Sequence, residues 1–259
     1  RFRPDSDLSA INSAAGRMTP VARRTIALLD AAIEAAAATG GAVDPTIGLH
    51  VQRAGYDTDI DAVRSAIQLV SPLTLKQADW TRVRVDHDLS LAGVPAGLQL
   101  DLGATAKAWT ADTAARQIAD TLGTAALVEI GGDLSVAGDR DEPWQVDVGE
   151  RSGQPSQRIA LSYGGLATST TTIRRWRTSE GEAHHIIDPR TGFSSEGPWR
   201  TASVWALTAV EANTASTATL VLGDEAVAYL DEAGHAARLV GQSGEVWTTA
   251  GWPSEVRAA

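Results

Sequence analysis

The sequence contains no cysteine, which excludes disulfides, thiolate metal sites and a cysteine nucleophile together. No run in it approaches the roughly 20 apolar residues that a membrane helix requires. Positive charge is scarce: the formal net charge is −10, and of the 22 basic residues only Lys76 and Lys107 are lysines. A non-specific nucleic-acid binder needs a basic face, so nucleic acid is not an expected partner. A phosphate ligand would then depend on local backbone donors or a metal, which gives a lysine inside a motif added interest. An initiator methionine and the regions of a signal peptide are also missing. Arg1-Phe2-Arg3 reads as the start of a piece cut from something longer, and localisation cannot be read from it.

What is present suits a globular chain: 259 residues, 43% hydrophobic and 21% charged, long enough to bury a substantial core. Asp5-Ser6 predicts a short capped helix. Thr19-Pro20 predicts the start of a longer one, with Thr at the N-cap and Pro at the first turn. Ile26, Leu29, Ile33 and Ala36 give it an apolar stripe, and Gly40-Gly41 closes it. Asp44-Pro45-Thr46 caps a further short helix that runs into Ala54-Gly55-Tyr56, and residues 60–69 read as another. From residue 81 the period switches to two, predicting strands at Val83-Arg84-Val85, Leu89-Ser90-Leu91 and Leu98–Asp101. A helix over 104–121 follows, then strands at 126–130, 144–148, 158–162 and 204–207. Helices over 211–222 and 224–233 precede a hairpin over 236–248 that turns at Ser243-Gly244. With no repeat, linker or shift in composition, one α+β domain spanning residues 1–259 is the expected organisation.

Four constellations could carry chemistry. In Asp101-Leu-Gly-Ala-Thr-Ala-Lys107 a strand ends in a carboxylate and a helix begins, and a helix N-terminus suits an anion that Lys107 could also reach. The plainer alternative is an Asp cap with a solvent-facing lysine. Gly131-Gly132-Asp133 at a strand end lets the backbone approach a flat or phosphorylated ligand, or simply makes a tight turn. In His184-His185-Ile-Ile-Asp188-Pro189-Arg190-Thr191-Gly192 two neighbouring histidines on a strand point to opposite faces. They cannot chelate one metal together, but one could act as a general base; Asp188 bracing the turn is the plainer alternative. Asn213 and Thr217 lie one helical turn apart, so two neutral oxygens share a face that could hold Mg²⁺ if phosphates complete the shell. Back-bonding of Ser and Thr to helix carbonyls is the competing explanation. Arg174-Arg175-Trp176-Arg177 reads as a local strand-loop patch.

The order of these motifs resembles the ApbE family, the FAD:protein FMN transferases. The resemblance runs from Phe2-Arg-Pro-Asp-Ser-Asp-Leu-Ser-Ala-Ile-Asn12 through Gly41-Ala-Val-Asp-Pro-Thr46, Asp101–Asp112, Ile130–Asp133, Ala167-Thr-Ser169 and His185–Gly192 to Ala212–Thr217. It implies a single two-layer α/β domain, with mixed sheets flanked by helices and a central flavin cleft. It implies an enzyme that cleaves FAD with Mg²⁺, moves FMN to a threonine hydroxyl of a target protein and releases AMP. By position, Phe2, Ala54, Gly55, Tyr56, Asp101, Lys107 and Ile187 would contact FAD. The Ala104 carbonyl, Asn213 and Thr217 would hold the metal, and His185 would assist the attacking hydroxyl. An FAD pyrophosphatase and a non-catalytic flavin binder are the alternatives. The sequence departs from the family pattern in carrying Asn213 where an Asp is usual, and Ala108 and Thr170 where Gly is favoured. A family strand with a Met-Gly-Thr segment is missing ahead of Phe2, in keeping with a trimmed chain.

Overall fold

The structure is a computed structural model that describes residues 3–70, 74–150 and 157–253. The chain divides into two compact units, one of Arg1–Ala104 with Arg174–Ser195, the other of Thr105–Ile173 with Glu196–Ala259.

The first unit opens with α1 (Asp7–Ser13), capped by the Ser6 side chain, and β1 (Thr19–Pro20). Then come α2 (Arg23–Ala38), α3 (Gly48–Arg53), α4 (Ile60–Arg64), β2 (Arg84–Asp86) and β3 (Leu91–Gly93). Thr19-Pro20 therefore does not start the long helix: it pairs with Leu91 and Ala92 of β3 as an edge strand, where proline's missing N–H costs nothing. The helix begins at Arg23 because Asp7 supplies the cap from a distance, its carboxylate accepting from the Ala22 N–H at 2.9 Å and the Thr25 hydroxyl at 2.6 Å. α2 buries Ile26, Leu29 and Ala36 of the predicted stripe, with Ala32 beside them, whereas Ile33 is only half-buried. The expected helix over 60–69 stops at Arg64. Leu89-Ser90 is a turn rather than strand, with Ser90 at φ 51°. Leu98–Asp101 contributes a single bridge, from Gln99 to Ile47.

The second unit is built on a six-stranded antiparallel sheet. Its strands are β4 (Ala126–Ile130), β5 (Asp133–Ala137), β8 (Gly164–Thr170), β13 (Trp199–Ala206), β14 (Ala236–Gly241) and β15 (Val246–Thr248), in the order β15-β14-β13-β8-β5-β4. One face packs against the ribbon of β6 (Trp144–Val148) and β7 (Gln157–Leu161) through Val136, Val146, Val148, Ile159, Leu161 and Leu166. The other face carries α5 (Ala106–Leu122) and α6 (Ala209–Leu222). α7 (Ala226–Glu232) follows α6. Small residues let α6 lie close: Ala167, Ala206 and Ala212 form one buried cluster. A Cβ on Gly165 would come within 2.2 Å of the Ala209 nitrogen, so only glycine fits beneath the start of α6.

Between β8 and β13 the chain passes through the first unit. There β9 (Arg175–Thr178) pairs with β10 (Gly181–His184), and β11 (Ile187–Asp188) pairs with β12 (Phe193–Ser194), all antiparallel. Among the described residues, no helix is long and apolar enough to cross a membrane.

Candidate functional site

In the second unit the predicted residues gather on the helix-covered face of the sheet. Lys107, in the first turn of α5, donates to the buried Asp133 carboxylate at 2.7 Å and to the Gly131 carbonyl at 3.2 Å. Gly131 and Gly132 both have positive φ, which the tight β4–β5 turn requires. Asp133 stands directly opposite Ala167 on β8, and Ser169 is two residues further along the same strand. Directly opposed residues of an antiparallel pair point to one face, and so do residues two apart on a strand. The Lys107–Asp133 pair and the Ser169 hydroxyl therefore share a face. There Ser169 meets α6, with its Oγ 2.8 Å from Ser216 Oγ and 3.1 Å from Thr217 Oγ1. Thr217 in turn donates to Asn213 Oδ1 at 3.2 Å.

This settles one question of helix chemistry. Ser216 and Thr219 bond back to the carbonyls of Asn213 and Ala215, the ordinary habit of hydroxyls in a helix. Thr217 does not; its oxygen is turned to the amide one turn earlier. All three oxygen-bearing side chains, Ser169, Asn213 and Thr217, are over nine-tenths buried. Nearby in sequence, Thr105 is the N-cap residue of α5 yet makes no capping bond, and its buried hydroxyl has no partner among the described residues. An orphaned hydroxyl at a helix N-terminus, two residues from a lysine, is a natural receptor for a phosphate oxygen. Oxygen donors suit a hard cation such as Mg²⁺. No group of three or more His, Cys, Asp or Glu that could hold a metal occurs among the described residues.

The two helices are locked to each other by Asp112, which sequence reasoning noted only inside a motif. Buried on α5, its carboxylate accepts from the Ala209 and Val210 N–H groups at 2.9 and 3.1 Å and from Ser135 Oγ at 2.6 Å. With Thr208 Oγ1 capping the Glu211 N–H at 3.1 Å, the start of α6 is satisfied without solvent. The Thr170 side chain is absorbed by the sheet: its hydroxyl bonds Thr172, Thr201 and the Arg200 carbonyl. Ala108 is fully buried.

In the first unit Asp101 forms a turn, its Oδ1 accepting from the Gly103 N–H at 2.8 Å. It is positioned from both sides: its own N–H donates to the Pro45 carbonyl at 2.8 Å, and Asn12 clamps the N–H and carbonyl of Leu100 at 2.7 and 2.9 Å. The Ala54-Gly55-Tyr56 turn ends α3 and is held by Trp176, which donates to the Ala54 carbonyl at 2.7 Å and packs on Tyr56 with ring centroids 5.2 Å apart. Trp176 of β9 faces Ala183 of β10, so this turn and the histidine hairpin are brought together. The sequence signal for Trp176 was a buried-type residue alternating with arginines. Ile187 is nearly fully buried, and Phe2 lies outside the described residues.

His184 ends β10 and His185 follows it, in different environments. His185 is half-buried, with its N–H on the Arg174 carbonyl. His184 is buried, and its Nε2 donates to the Ser195 carbonyl at 3.0 Å, which fixes the proton on Nε2. Its Nδ1 has no partner among the described residues. Ser194 Oγ grips the segment, accepting from the His184 N–H at 2.9 Å and donating to the His184 carbonyl at 2.8 Å. Burial lowers the His184 pKa from 6.5 to about 4, opposed by the bond to Ser195 and aided by Arg175. The folded state thus refuses a proton that the unfolded chain accepts. Stability is full above about pH 6.5 and falls by about 3 kcal/mol as pH drops toward 4. His184→Gln keeps a donor for Ser195 and removes this titration. Denaturation curves between those limits should flatten in the variant, and an unchanged slope would contradict the assignment.

A cleft of about 450 Å³ in the first unit is lined by His50, Arg53, Gln77, Arg190 and Phe193 among others. Pro189, Arg190, Thr191 and Gly192 of the histidine motif line it, but none of the residues that the resemblance gives to FAD, the metal or the acceptor does; Arg53 there is tied to the Gly192 carbonyl and lies over the Phe193 ring.

Comparison with known proteins identifies the family and the fold. A family model described as the ApbE family matches residues 1–239. The FAD:protein FMN transferase of Treponema pallidum is 32% identical over 244 residues, covering 86% of this chain and 67% of that protein. The Salmonella typhimurium protein of the same name is 26% identical, with the same coverage. Among solved structures, an ApbE protein of Thermotoga maritima superposes with a TM-score of 0.83 at 27% identity, covering 96% of this chain and 84% of that one. The Pseudomonas stutzeri flavinyl transferase ApbE, at 23% identity and a TM-score of 0.75 over 96% of this chain and 80% of its own, shares the fold.

Proposed function

The chain belongs to the ApbE family and is an FAD:protein FMN transferase, and from that premise we propose how its residues divide the work. The substrate is FAD, the acceptor is a threonine hydroxyl on a target protein, and the second product is AMP. Residues 1–259 act as one catalytic domain. Asn213, Thr217 and the Ala104 carbonyl are the protein donors to Mg²⁺, whose chemistry when bound is to neutralise the diphosphate and so ease attack at phosphorus.

The other tasks fall to the chain itself. Lys107 and the N-terminus of α5, with the free Thr105 hydroxyl, bind the diphosphate oxygens and stabilise charge that builds on them in an in-line displacement. Asp133 keeps the ammonium in place. Asp101, Ala54, Gly55, Tyr56 and Ile187 contact FAD, as does Phe2. His185 takes the proton of the acceptor hydroxyl as the new bond to phosphorus forms and the bond to the AMP oxygen breaks. A threonine hydroxyl is a weak nucleophile near neutral pH, so this proton transfer carries much of the rate.

The observation that supports the reading best is the gathering of Lys107, Asp133, Ser169, Asn213 and Thr217 on one sheet face, in a chain whose family transfers FMN. The test is incubation with FAD, Mg²⁺ and an acceptor domain carrying a threonine, read by intact mass. A covalent FMN adduct and stoichiometric AMP are expected, and both should vanish when the acceptor threonine is changed to alanine. Release of free FMN at the same rate without acceptor would make water the acceptor instead. FAD that binds but is never cleaved would leave only a flavin-binding protein.

A further inference from the structure

We propose that the divalent cation is not resident in this protein but is taken up together with the FAD diphosphate, each requiring the other. This rests on the metal-donor assignment above and says what the amide at position 213 does to it.

The argument is one of charge. The side chains that meet on the sheet face, Asn213, Thr217 and Ser169, are all neutral and all buried. The carboxylates on the surrounding elements are unavailable to a cation. Asp133 is neutralised by Lys107 at 2.7 Å. Asp112 is used by two helix N–H groups and a serine. Asp120 on α5, Glu129 on β4 and Glu211 on α6 are exposed. A dication moved from water into a buried set of neutral dipoles loses hydration without gaining a counter-charge, and neutral oxygens do not offset that loss. A diphosphate brings the missing negative charge. The Lys107 ammonium on the same face spends two of its three N–H donors on Asp133 and Gly131, so it can offer the diphosphate a hydrogen bond but leaves most of its charge for the divalent cation to balance. Coupling of this kind is reciprocal: the factor by which FAD tightens the cation is the factor by which the cation tightens FAD.

Mn²⁺ binding to the full chain, followed by loss of the free-ion electron paramagnetic resonance signal, tests this without reference to turnover. With 0.1 mM protein, taken as roughly the scale of a weak site, Mn²⁺ alone should leave the signal essentially intact. Adding FAD should raise Mn²⁺ affinity at least about 30-fold, a coupling typical of linked sites. FAD affinity, read by quenching of flavin fluorescence, should fall by the same factor in EDTA. Asn213→Asp should bind Mn²⁺ alone at least about 10-fold more tightly, as expected of one added buried countercharge, and should depend less on FAD. Thr217→Val should lose the FAD-dependent Mn²⁺ uptake, whereas Thr217→Ser, which keeps the hydroxyl and its bonds to Asn213 and Ser169, should retain it. Tight Mn²⁺ binding by the unmodified chain without FAD would overturn the proposal and leave the transferase reading standing. No Mn²⁺ uptake even with FAD bound would overturn both the coupling and the donor assignment. Failure to bind FAD under any condition would overturn the flavin site itself.

Discussion

His185→Ala should lower FMN transfer about 10²–10⁴-fold, the usual contribution of a positioned general base. FAD affinity should change by less than about twofold, since the imidazole is assigned to the acceptor hydroxyl and not to the dinucleotide. The pairing of those two readouts is what makes the result informative. The neighbouring histidine provides an internal control. His184 is buried, donates to a carbonyl and stays neutral down to about pH 4, so it has no means of exchanging a proton near neutrality. His184→Gln should therefore retain most of the activity at neutral pH. Were the two variants to lose activity equally, the hairpin would matter only as a scaffold and the base would have to be sought elsewhere. Rates from single-turnover experiments at saturating FAD separate these cases.

Asp112→Ala should cost about 3 kcal/mol of stability. Its carboxylate satisfies two backbone donors at the start of α6 and the Ser135 hydroxyl. Alanine leaves three donors without a partner in a region that excludes water, and each orphan costs about 1–3 kcal/mol less whatever local relaxation recovers. For a cooperative unit of this size the midpoint of thermal unfolding should drop by roughly 6–12 °C. Asp112→Asn preserves shape and one acceptor oxygen and should lose about half as much. A loss below about 1 kcal/mol for the alanine variant would mean that water or a side chain replaces the carboxylate. Because α6 carries Asn213 and Thr217, the variant should also weaken FAD-dependent metal uptake before it unfolds.

Much of the second unit was legible because its elements are regular and bounded by punctuation. Strands at 126–130 and 144–148, the helices after residues 105 and 208, and the final hairpin lie where alternation, helical spacing and glycine stops put them. The first unit was harder for identifiable reasons. Thr19-Pro20 looks like a helix start by composition, yet the true start is fixed by Asp7, a residue from another helix that local pattern cannot see. Leu89-Ser90-Leu91 alternates like a strand, but the chain turns there. The site was legible as motifs and not as partnerships. Lys107 and Gly131-Gly132-Asp133 were each singled out, but nothing in their spacing says that the lysine is held by that aspartate. The same holds for Ser169 and Thr217, which are 48 positions apart in the chain and 3.1 Å apart in the fold. Contacts of this kind are made where α5 and α6 pack on the sheet, and that packing is a property of the assembled layers.

The grip of Ser194 on His184 has a consequence for the hairpin's outer rim. One hydroxyl there takes the N–H and the carbonyl that a strand leaves open on its unpaired side. An open rung of that kind is a template on which another polypeptide can add itself and begin to polymerise. By occupying the rung with a side chain of its own, the protein closes that end of the ribbon to strangers.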